Sequence, residues 1–498
     1  MDATNELQDL IVLVKSRFPI LLIESHEEPR VLNLLEKVTN LENSPLFTWS
    51  VTSGLRRRLR PESVPETSDL TLALRHIEKT VQNGVYVLLD AHPYLQDPIV
   101  LRLVREIALS YGKTPRTLIF VSPRLELPPE LLRLSARFKL SVLDPAGVRK
   151  LIREEVELWR TEQGGDDTVK GSKEAVDLIA QHLAGMSAED ARRLIRQAIR
   201  DDNRLSLEDV SRILKFKHES LAANSLLTLE LDCASFTEVG GQKNLKRWLD
   251  RRRAVFLAEP GSSRLDTPKG ILLLGVQGGG KSLAAKAVAA VWGVPLLRLD
   301  FASLYDKYFG DTERNLREAL TAADAMSPCV LWMDEIEKGL STDDTGGSDG
   351  GLSKRVLGTL LTWMAERKTR VFMVATANDI ARLPPELVRK GRFDEIFFVD
   401  LPDADTRREI FRIHLSRRKL AADAFDFDAL TNDSDGFSGA EIEQAVVSAL
   451  YEAHATGSSL TCALISDELR RTRPLSVTMA ERIADLREWA AARTVPAN

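Results

Sequence analysis

The chain has 498 residues, of which 44% are hydrophobic and 28% are charged, and its formal net charge is −5. This composition is that of ordinary globular proteins, and the length suggests about three domains. Because the net charge is slightly negative, the chain lacks the strong excess of basic residues that is typical of proteins whose main partner is nucleic acid.

Nothing in the sequence predicts export or a membrane span. The first residues lack the basic and apolar regions of a secretory signal, and no stretch approaches the ~18 uncharged apolar residues that a membrane helix needs. Three isolated cysteines, Cys233, Cys329 and Cys462, lack metal-ligand spacing and are typical of a reducing compartment. We therefore expect a cytoplasmic location.

Residues 1–143 predict an α/β domain without a phosphate-binding loop. Its first predicted strand is the apolar run Phe18–Glu24, and the segment after it, Ser25–Arg30, contains neither Gly nor Lys. Glu27 and Glu28 stand where an anionic ligand would have to lie. Because like charges repel, we expect no nucleotide to bind there.

A helical segment and a linker are predicted next. Residues 144–218 have the periodicity of helices, interrupted by the Gly-rich loop Gly164–Gly171. Residues 219–231 are expected to link this segment to a larger module over 232–400. Residues 401–498 are expected to add a second helical segment and a C-terminal helix, with a frayed end at Thr494–Asn498.

The most informative motif is the phosphate-binding pattern between Gly275 and Ser282. It follows the apolar run Ile271–Leu274 and precedes a helical pattern from Leu283, which is the strand–loop–helix context that the motif requires. Glycines let backbone N–H groups converge on phosphate oxygens at a helix N-terminus. Lys281 is then expected to reach the β- and γ-phosphates and Ser282 to bind Mg²⁺, whereas the alternative is a chance match in a flexible loop.

Two further strands end in polar residues that suit this chemistry. Cys329–Glu335 predicts a buried strand that ends in two acids, with Asp334 holding Mg²⁺ and Glu335 orienting the attacking water. Val371–Ala377 predicts a strand that ends at Asn378. Taken alone, Asn378 is better explained as a helix cap or turn residue than as a contact to water or phosphate.

Several other segments are similar to typical parts of the AAA family of P-loop ATPases, so that the resemblance covers about residues 236–454. These segments are Phe236–Lys246, Lys307–Arg317, Arg355–Met364, Leu387–Asp394, Ile413–His414 and Gly436–Ile442. The resemblance implies a doubly wound parallel α/β sheet with a C-terminal helical lid, and ATP and Mg²⁺ as ligands.

The resemblance also implies a role for individual residues. Asn378 becomes the sensor of the γ-phosphate, which reverses the interpretation above. Arg389 and Arg392 become arginine fingers for a neighbouring subunit, and Tyr308 and Phe309 become an aromatic pore loop. The expected nucleotide-binding residues are Gly240, Gly241, Gly275, Val276, Gln277, Gly278, Gly279, Gly280, Lys281, Ser282, Leu283, His414, Gly439 and Ala440.

The phosphate loop departs from the usual pattern of this family. Val276-Gln277 stand where many members have two prolines, and Gly279 replaces the usual Thr. The additional glycine adds backbone freedom and costs preorganisation, but it removes no phosphate ligand.

The first half repeats the second in degenerate form. Gly84–His92 resembles the strand ending at Glu335, with Ala91 in the place of that acid, and Leu127–Leu131 is identical in sequence to Leu383–Leu387. Arg133 and Arg137 follow at the positions of the two fingers, and Gly185–Ala191 parallels Gly436–Ile442. We therefore expect a degenerate AAA-like α/β domain with its own helical lid. This whole-length pattern is similar to AAA ATPases of algal plastid and cyanobacterial genomes, so the plastid stroma is the alternative location.

The leading hypothesis for function is an ATP-hydrolysing ring, expected to be hexameric, that remodels or threads a protein client through a pore lined by Tyr308. The alternative is a regulatory switch or scaffold with slow hydrolysis, whose ATP state changes the binding of a partner or adaptor. A helicase or clamp loader is less consistent with the negative net charge.

Overall fold

The computed structural model describes most of the chain, and the statements below concern these residues. They are 3–58, 60, 62–80, 82–123, 125, 127–140, 143–163, 169–222, 226–230, 236–258, 264–301, 312–340, 350–389, 391–421 and 424–498. The chain divides into two compact units, with residues 1–164 and 186–197 in the first and residues 165–185 and 198–498 in the second.

A mostly parallel sheet forms the centre of the first unit. Its strands are β1 (Ile20–Glu24), β2 (Leu46–Ser50), β3 (Gly54–Arg57), β4 (Gly84–Leu89), β5 (Arg116–Ser122) and β6 (Ser135–Phe138). Their order is β3-β2-β4-β5-β1-β6, and only β3, which forms a hairpin with β2, runs antiparallel to its neighbour.

Helices cover both faces of this sheet. They are α1 (Ala3–Lys15), α2 (Glu28–Leu41), α3 (Leu70–Lys79), α4 (Pro98–Leu109) and α5 (Pro129–Leu132). The first unit also contains α6 (Pro145–Glu162) and the beginning of α8 (Ala188–Asp202). Ile20 and Leu22 belong to one apolar cluster, whereas Leu21 and Ile23 belong to another. Because successive side chains of a strand point to opposite faces, a continuous apolar run is what a sheet covered on both sides requires.

The second unit contains a larger sheet built in the same way. Its strands are β9 (Leu227–Glu230), β10 (Gly270–Gly275), β11 (Leu296–Asp300), β12 (Cys329–Asp334), β13 (Val371–Ala377), β14 (Glu395–Val399) and β15 (Val495–Pro496). The order is β15-β14-β10-β13-β12-β11-β9, and all neighbours are parallel except β9 and β11. A short parallel pair, β7 (Lys170–Gly171) and β8 (Arg204–Leu205), lies apart from it.

Helices again pack on both faces of this sheet and continue into a separate helical cluster. They are α7 (Lys173–Leu183), α9 (Leu207–Ala222), α10 (Lys243–Leu257), α11 (Lys281–Trp292), α12 (Thr312–Ala325), α13 (Ile336–Leu340), α14 (Gly350–Glu366), α15 (Pro385–Val388), α16 (Ala404–Arg417), α17 (Phe427–Asp433), α18 (Gly439–Ala455), α19 (Cys462–Arg471), α20 (Leu475–Thr478) and α21 (Ala480–Ala491). Helices α16 to α19 enclose their own core around Phe411, Phe437 and Ile442, which is the predicted lid. Within the described residues, no helix has both the length and the apolar character that membrane crossing requires.

The two sheets share one topology. Five parallel strands have the order β6-β1-β5-β4-β2 in the first unit and β14-β10-β13-β12-β11 in the second. In each unit these strands also follow the same chain order. The corresponding pairs are β1 and β10, β2 and β11, β4 and β12, β5 and β13, and β6 and β14. The predicted fold class, a P-loop-type doubly wound sheet with a lid preceded by a degenerate α/β copy, is confirmed.

The end of β4 resembles the end of β12 in two respects that give different alignments of Asp90. Asp90 directly follows β4 and has φ +49°, and Glu335 directly follows β12 with φ +49°. By backbone conformation, Asp90 is therefore the counterpart of Glu335. By side-chain contact it resembles Asp334, since Ser122 Oγ donates to Asp90 Oδ1 at 2.8 Å as Thr376 Oγ1 donates to Asp334 Oδ1.

The expectation that the C-terminus frays is wrong. Strand β15 pairs with β14, and the Ala497 N–H donates to the Phe398 carbonyl oxygen at 2.9 Å. The Ala497 carbonyl accepts N–H bonds from Asn244 and Leu245, and its side chain is only 2% exposed. The terminal residues therefore complete an edge of the second sheet, which local sequence composition does not indicate.

Candidate nucleotide site

The predicted phosphate loop connects β10 to α11, and its glycines are required by its geometry. Gly278 and Gly280 have φ values of +75° and +89°, which is the region that residues with a Cβ rarely adopt. A Cβ on Gly275 would lie 2.0 Å from the Val399 carbonyl oxygen. The loop ends at Gly280, where α11 begins, so the unpaired N–H groups of that helix terminus adjoin the loop.

The loop forms one side of a cleft of about 290 Å³ in the second unit. This cleft brings together most of the residues that the sequence predicted for nucleotide and metal binding. From the predicted set it is lined by Gly240, Gln277, Gly278, Gly279, Gly280, Lys281, Ser282, Leu283, Asp334, Glu335, Asn378, His414, Gly439 and Ala440.

Three predicted nucleotide-binding residues adjoin the cleft without lining it. Gly275 ends β10, and Val276 is buried and contributes to a smaller neighbouring cavity. The Gly241 N–H donates to Glu409 Oε2 at 2.8 Å. These three residues therefore contribute to the shape of the phosphate loop and of the Gly-Gly turn without lining the cleft.

Lys281 points towards the base of its own loop. Its side chain is buried, and Nζ donates to the carbonyl oxygens of Gly275 and Val276 at 2.9 and 2.8 Å. Burial lowers the pKa of Lys281 to about 8, against the opposing effect of nearby carboxylates. For Lys281 to reach a phosphate, its side chain must exchange these carbonyl partners for phosphate oxygens.

The two acids at the end of β12 are held by separate contacts. Ser282 Oγ lies 3.4 Å from Asp334 Oδ1, and Thr376 Oγ1 lies 2.6 Å from the same oxygen. Glu335 Oε1 accepts a hydrogen bond from Asn378 Nδ2 at 3.0 Å, and Glu335 Oε2 forms an ion pair with Lys338. Asn378, which could have been only a turn residue, therefore lies against the carboxylate predicted to orient water.

Sequence reasoning missed three polar residues around these acids. Thr376 lines the cleft, Lys338 pairs with Glu335, and the buried Glu337 accepts the Asn378 N–H at 2.9 Å. Burial raises the pKa of Glu337. The signal for Thr376 was present, since it is the hydroxyl residue within the otherwise apolar run of β13.

The lid closes the other side of the cleft. Helix α18 begins after Ser438, which caps it together with Glu441, and the Ala440 N–H donates to the Gly278 carbonyl at 3.3 Å. His414 on α16 is buried, and its Nδ1 lies 3.4 Å from Glu443 Oε1. Burial lowers the pKa of His414, which Glu443 partly opposes.

The remaining predicted residues lie elsewhere. Arg389 is exposed at the end of α15, and Arg392 is half-buried and donates to the Leu361 carbonyl; neither lines the cleft of its own chain. Tyr308 and Phe309 lie outside the described residues.

Comparison with known proteins identifies the same organisation. Residues 6–140 match the N-terminal domain and residues 146–224 the second domain of SpoVK-like AAA ATPases. Residues 271–401 match the ATPase family associated with various cellular activities, AAA.

Relatives with this organisation align over almost the whole chain. The uncharacterized AAA domain-containing protein ycf46 of Guillardia theta is 34% identical over 98% of this chain and 95% of its own length. The protein of the same name from Pyropia yezoensis is 33% identical over 98% of both chains. The human ATPase family gene 2 protein homolog A is 34% identical over 43% of this chain and 25% of its own. This chain therefore belongs to the AAA family of ATPases, as a member in which SpoVK-like N-terminal domains precede a single AAA module.

Proposed function

We propose that this protein hydrolyses ATP in the cleft of the second unit and uses that reaction to remodel a protein client. The observation that carries the proposal is the convergence of the phosphate loop, both strand-end acids, Asn378 and the start of the lid helix in one cleft. A Gly-rich loop at a helix N-terminus is suited to a triphosphate.

The residues present fit Mg²⁺. This ion prefers hard oxygen ligands and retains several waters, and Ser282 Oγ and the Asp334 carboxylate lie close together beside the loop. Ser282 and Asp334 would hold the ion, Asp334 through water. The chemistry that the ion supplies when bound is neutralisation of charge on the phosphate oxygens.

The protein groups have distinct roles in hydrolysis by in-line attack of water on the γ-phosphate. Lys281 would turn from the loop carbonyls to the phosphate oxygens and counter their charge. Glu335 would accept a hydrogen bond from the attacking water and orient it. Asn378, already bonded to Glu335, would fix the orientation of this carboxylate and contact the γ-phosphate.

We further propose that the active site is completed between subunits of a ring, with six subunits as the expected number. The exposed Arg389 and the half-buried Arg392 do not line their own cleft, which supports action on a neighbour. A guanidinium is always charged and can grip two phosphate oxygens. Arginine fingers of this type raise phosphoryl-transfer rates roughly 10³–10⁵-fold. Tyr308 and Phe309 would line the pore and grip the client.

The test is ATP turnover per subunit, measured across a wide range of protein concentration. Specific activity that rises and then saturates is expected, because each site needs a neighbour's arginines. Glu335→Gln should bind ATP and hydrolyse at least about a hundredfold more slowly, since an amide cannot take the carboxylate's role. Near wild-type turnover by Glu335→Gln would refute the assignment of Glu335.

A second candidate function, a slow nucleotide-dependent switch, is favoured by the ion pair between Lys338 and Glu335. An ammonium bound to this carboxylate lowers its ability to polarise water. Under this hypothesis, turnover is slow at every protein concentration, and the affinity for a partner differs between the ATP and ADP states.

A further inference from the structure

Thr376 occupies a central position between the two acids of the cleft. Strand β13 is buried along its whole length, and Thr376, 1% exposed, is its penultimate residue. The neighbouring strand β12 pairs with it up to Met333, opposite Ala375, so the next residue of each strand is Asp334 and Thr376. The register therefore brings this hydroxyl to the acids.

The hydroxyl makes two hydrogen bonds whose directions can be assigned. Thr376 Oγ1 lies 2.6 Å from Asp334 Oδ1 and accepts the Glu335 N–H at 3.0 Å. A hydroxyl carries one proton and an ionised carboxylate can only accept. The Thr376 proton is therefore donated to Asp334, while an oxygen lone pair receives the Glu335 N–H.

These bonds restrain both acids. The bond to Asp334 fixes the carboxylate whose Oδ1 also faces Ser282. The bond to Glu335 fixes a backbone with φ +49°, a conformation that is unfavourable for a residue with a Cβ and persists only where the surroundings hold it. From this backbone, the Glu335 side chain reaches Asn378.

We propose that Thr376 is a positioning residue for hydrolysis, and that its hydroxyl sets the geometry of the metal-binding and water-orienting acids together. This inference rests on the function proposed above. It predicts that loss of the Thr376 hydroxyl changes kcat and the Mg²⁺ requirement more than ATP affinity, because this hydroxyl does not bond to the phosphate loop.

The test compares Thr376→Val with Thr376→Ser in the full-length protein. Val keeps the shape but removes both hydrogen bonds, whereas Ser keeps the hydroxyl and loses a methyl group. We expect Thr376→Val to lower kcat about tenfold or more and to raise the Mg²⁺ concentration for half-maximal activity, with KM for ATP changed less than about threefold. Thr376→Ser is expected to retain kcat within about threefold.

Other outcomes separate the inference from the proposed function. If Thr376→Val keeps normal kcat while Glu335→Gln loses activity, the role of Thr376 is wrong and the proposed function stands. Equal losses in the Val and Ser variants would show that the hydroxyl does not by itself maintain activity and would also overturn the inference. If Glu335→Gln is fully active, the proposed function itself fails. Thermal unfolding and ADP binding of Thr376→Val identify any folding defect.

An independent observation in the first unit carries a second inference. Residues 25–27 connect β1 to α2, as the phosphate loop connects β10 to α11 in the second unit. Glu27 is 8% exposed, and its Oε1 accepts the N–H groups of Ala188 and Glu189 at 2.8 and 3.4 Å. These two residues begin α8, the counterpart of lid helix α18.

Further ion pairs hold this carboxylate and this helix. Glu27 Oε2 pairs with Arg30 Nη1 at 2.8 Å, and Arg30 Nη2 lies 3.1 Å from Glu6. The buried Glu155 of α6 pairs with Arg192 of α8 at 2.7 Å. A helix N-terminus favours a negative charge, and here a side chain of the protein supplies it.

We infer that Glu27 links the first domain to its lid segment as a built-in anion, so that this unit stays closed whether or not nucleotide is present. The lid helix of the second unit instead meets its loop through a neutral backbone contact, from Ala440 to Gly278. The second unit therefore has room for a ligand anion between loop and lid. In the first unit, the Glu27 carboxylate is that anion.

Amide hydrogen exchange over residues 188–197 of the full-length protein tests this. In the wild type, exchange should be slow and unchanged by ATP. Glu27→Gln, which keeps the shape of the side chain and removes its charge, should accelerate exchange about fivefold or more. The control Glu28→Gln changes an exposed neighbouring residue and should not accelerate exchange. Unchanged exchange in Glu27→Gln would overturn the inference. Exchange that responds to ATP in the wild-type protein would also overturn it, and this measurement needs no variant.

Discussion

Gly278 is a residue at which the phosphate loop contacts the lid. Its φ is +75°, and a Cβ placed on it would lie 2.9 Å from Ser438 Oγ and 3.2 Å from Ala440 Cβ. Both neighbours belong to the beginning of α18. Gly278 therefore satisfies two requirements at once, a left-handed backbone and close contact with the lid, and no other residue type satisfies both.

We expect Gly278→Ala to weaken ATP binding roughly tenfold or more, because backbone strain of about 1–3 kcal/mol and displacement of the lid both oppose the bound geometry. Gly293→Ala is the matched control. Gly293 has φ +67° at the end of α11, but a Cβ there meets nothing within 4 Å. Equilibrium ATP binding by both variants is the measurement, and equal losses would show that the lid contact contributes nothing.

At the scale of elements, β15 ties the last residues to the large sheet. The chain leaves the lid after α19, and α21 packs Leu486 and Trp489 against the core of the large sheet before β15 pairs with β14. Arg487 on α21 also pairs with Asp400 at 2.9 Å. The C-terminal segment therefore returns from the lid to the sheet and connects the two walls of the cleft.

Deletion of residues 495–498 is expected to lower the thermal unfolding midpoint by about 2–6 °C, because it exposes the edge of β14 and removes the buried Ala497. Differential scanning calorimetry provides the measurement. The control Asn498→Ala removes only a side chain that donates to Asp403 Oδ2 at 2.8 Å and to Thr406 Oγ1 at 3.3 Å, and the midpoint should change less. If the deletion leaves the midpoint unchanged, the terminal strand does not contribute to stability.

At the scale of the whole molecule, two copies of one sheet topology differ in the loop after their first parallel strand. The second copy has a Gly-rich loop that leaves room for phosphates. The first has Glu27, whose carboxylate is already bonded to the start of α8 and to Arg30. Both copies keep the sheet, and under the inference above Glu27 supplies in the first copy the anion that the second would take as a ligand.

The full-length protein is therefore expected to bind close to one nucleotide per chain, and Lys281→Ala is expected to bind none at concentrations that saturate the wild type. Loss of the Lys281 ammonium removes a cation that would counter the phosphate charge through charge-assisted hydrogen bonds. Equilibrium dialysis with a labelled, non-hydrolysed ATP analogue measures the stoichiometry. Persistent binding near one per chain in Lys281→Ala would contradict this expectation.

Much of the fold and of the candidate site could be predicted from local patterns. Lys281, Ser282 and Asp334 were identifiable because the strand–loop–helix pattern and the buried strand that ends in acids are contiguous in sequence. The role of Asn378 followed only from the family resemblance. Thr376 was harder to identify, since its partners lie on another strand and depend on register. Lys338 was missed because only the helical turn after Glu335 brings it to that carboxylate.

Local sequence patterns were enough to predict the position of the phosphate loop, since loop chemistry and the periodicity of the flanking strand and helix are local properties. The family and the doubly wound architecture of both halves followed from the resemblance that the motifs carry. Only the tertiary structure shows that Asp90 shares the backbone conformation of Glu335, that Glu27 meets the start of α8, and that Val495–Pro496 form an edge strand. Each of these depends on contacts between residues far apart in the chain or on where a strand ends, and composition cannot encode a distance that only folding establishes.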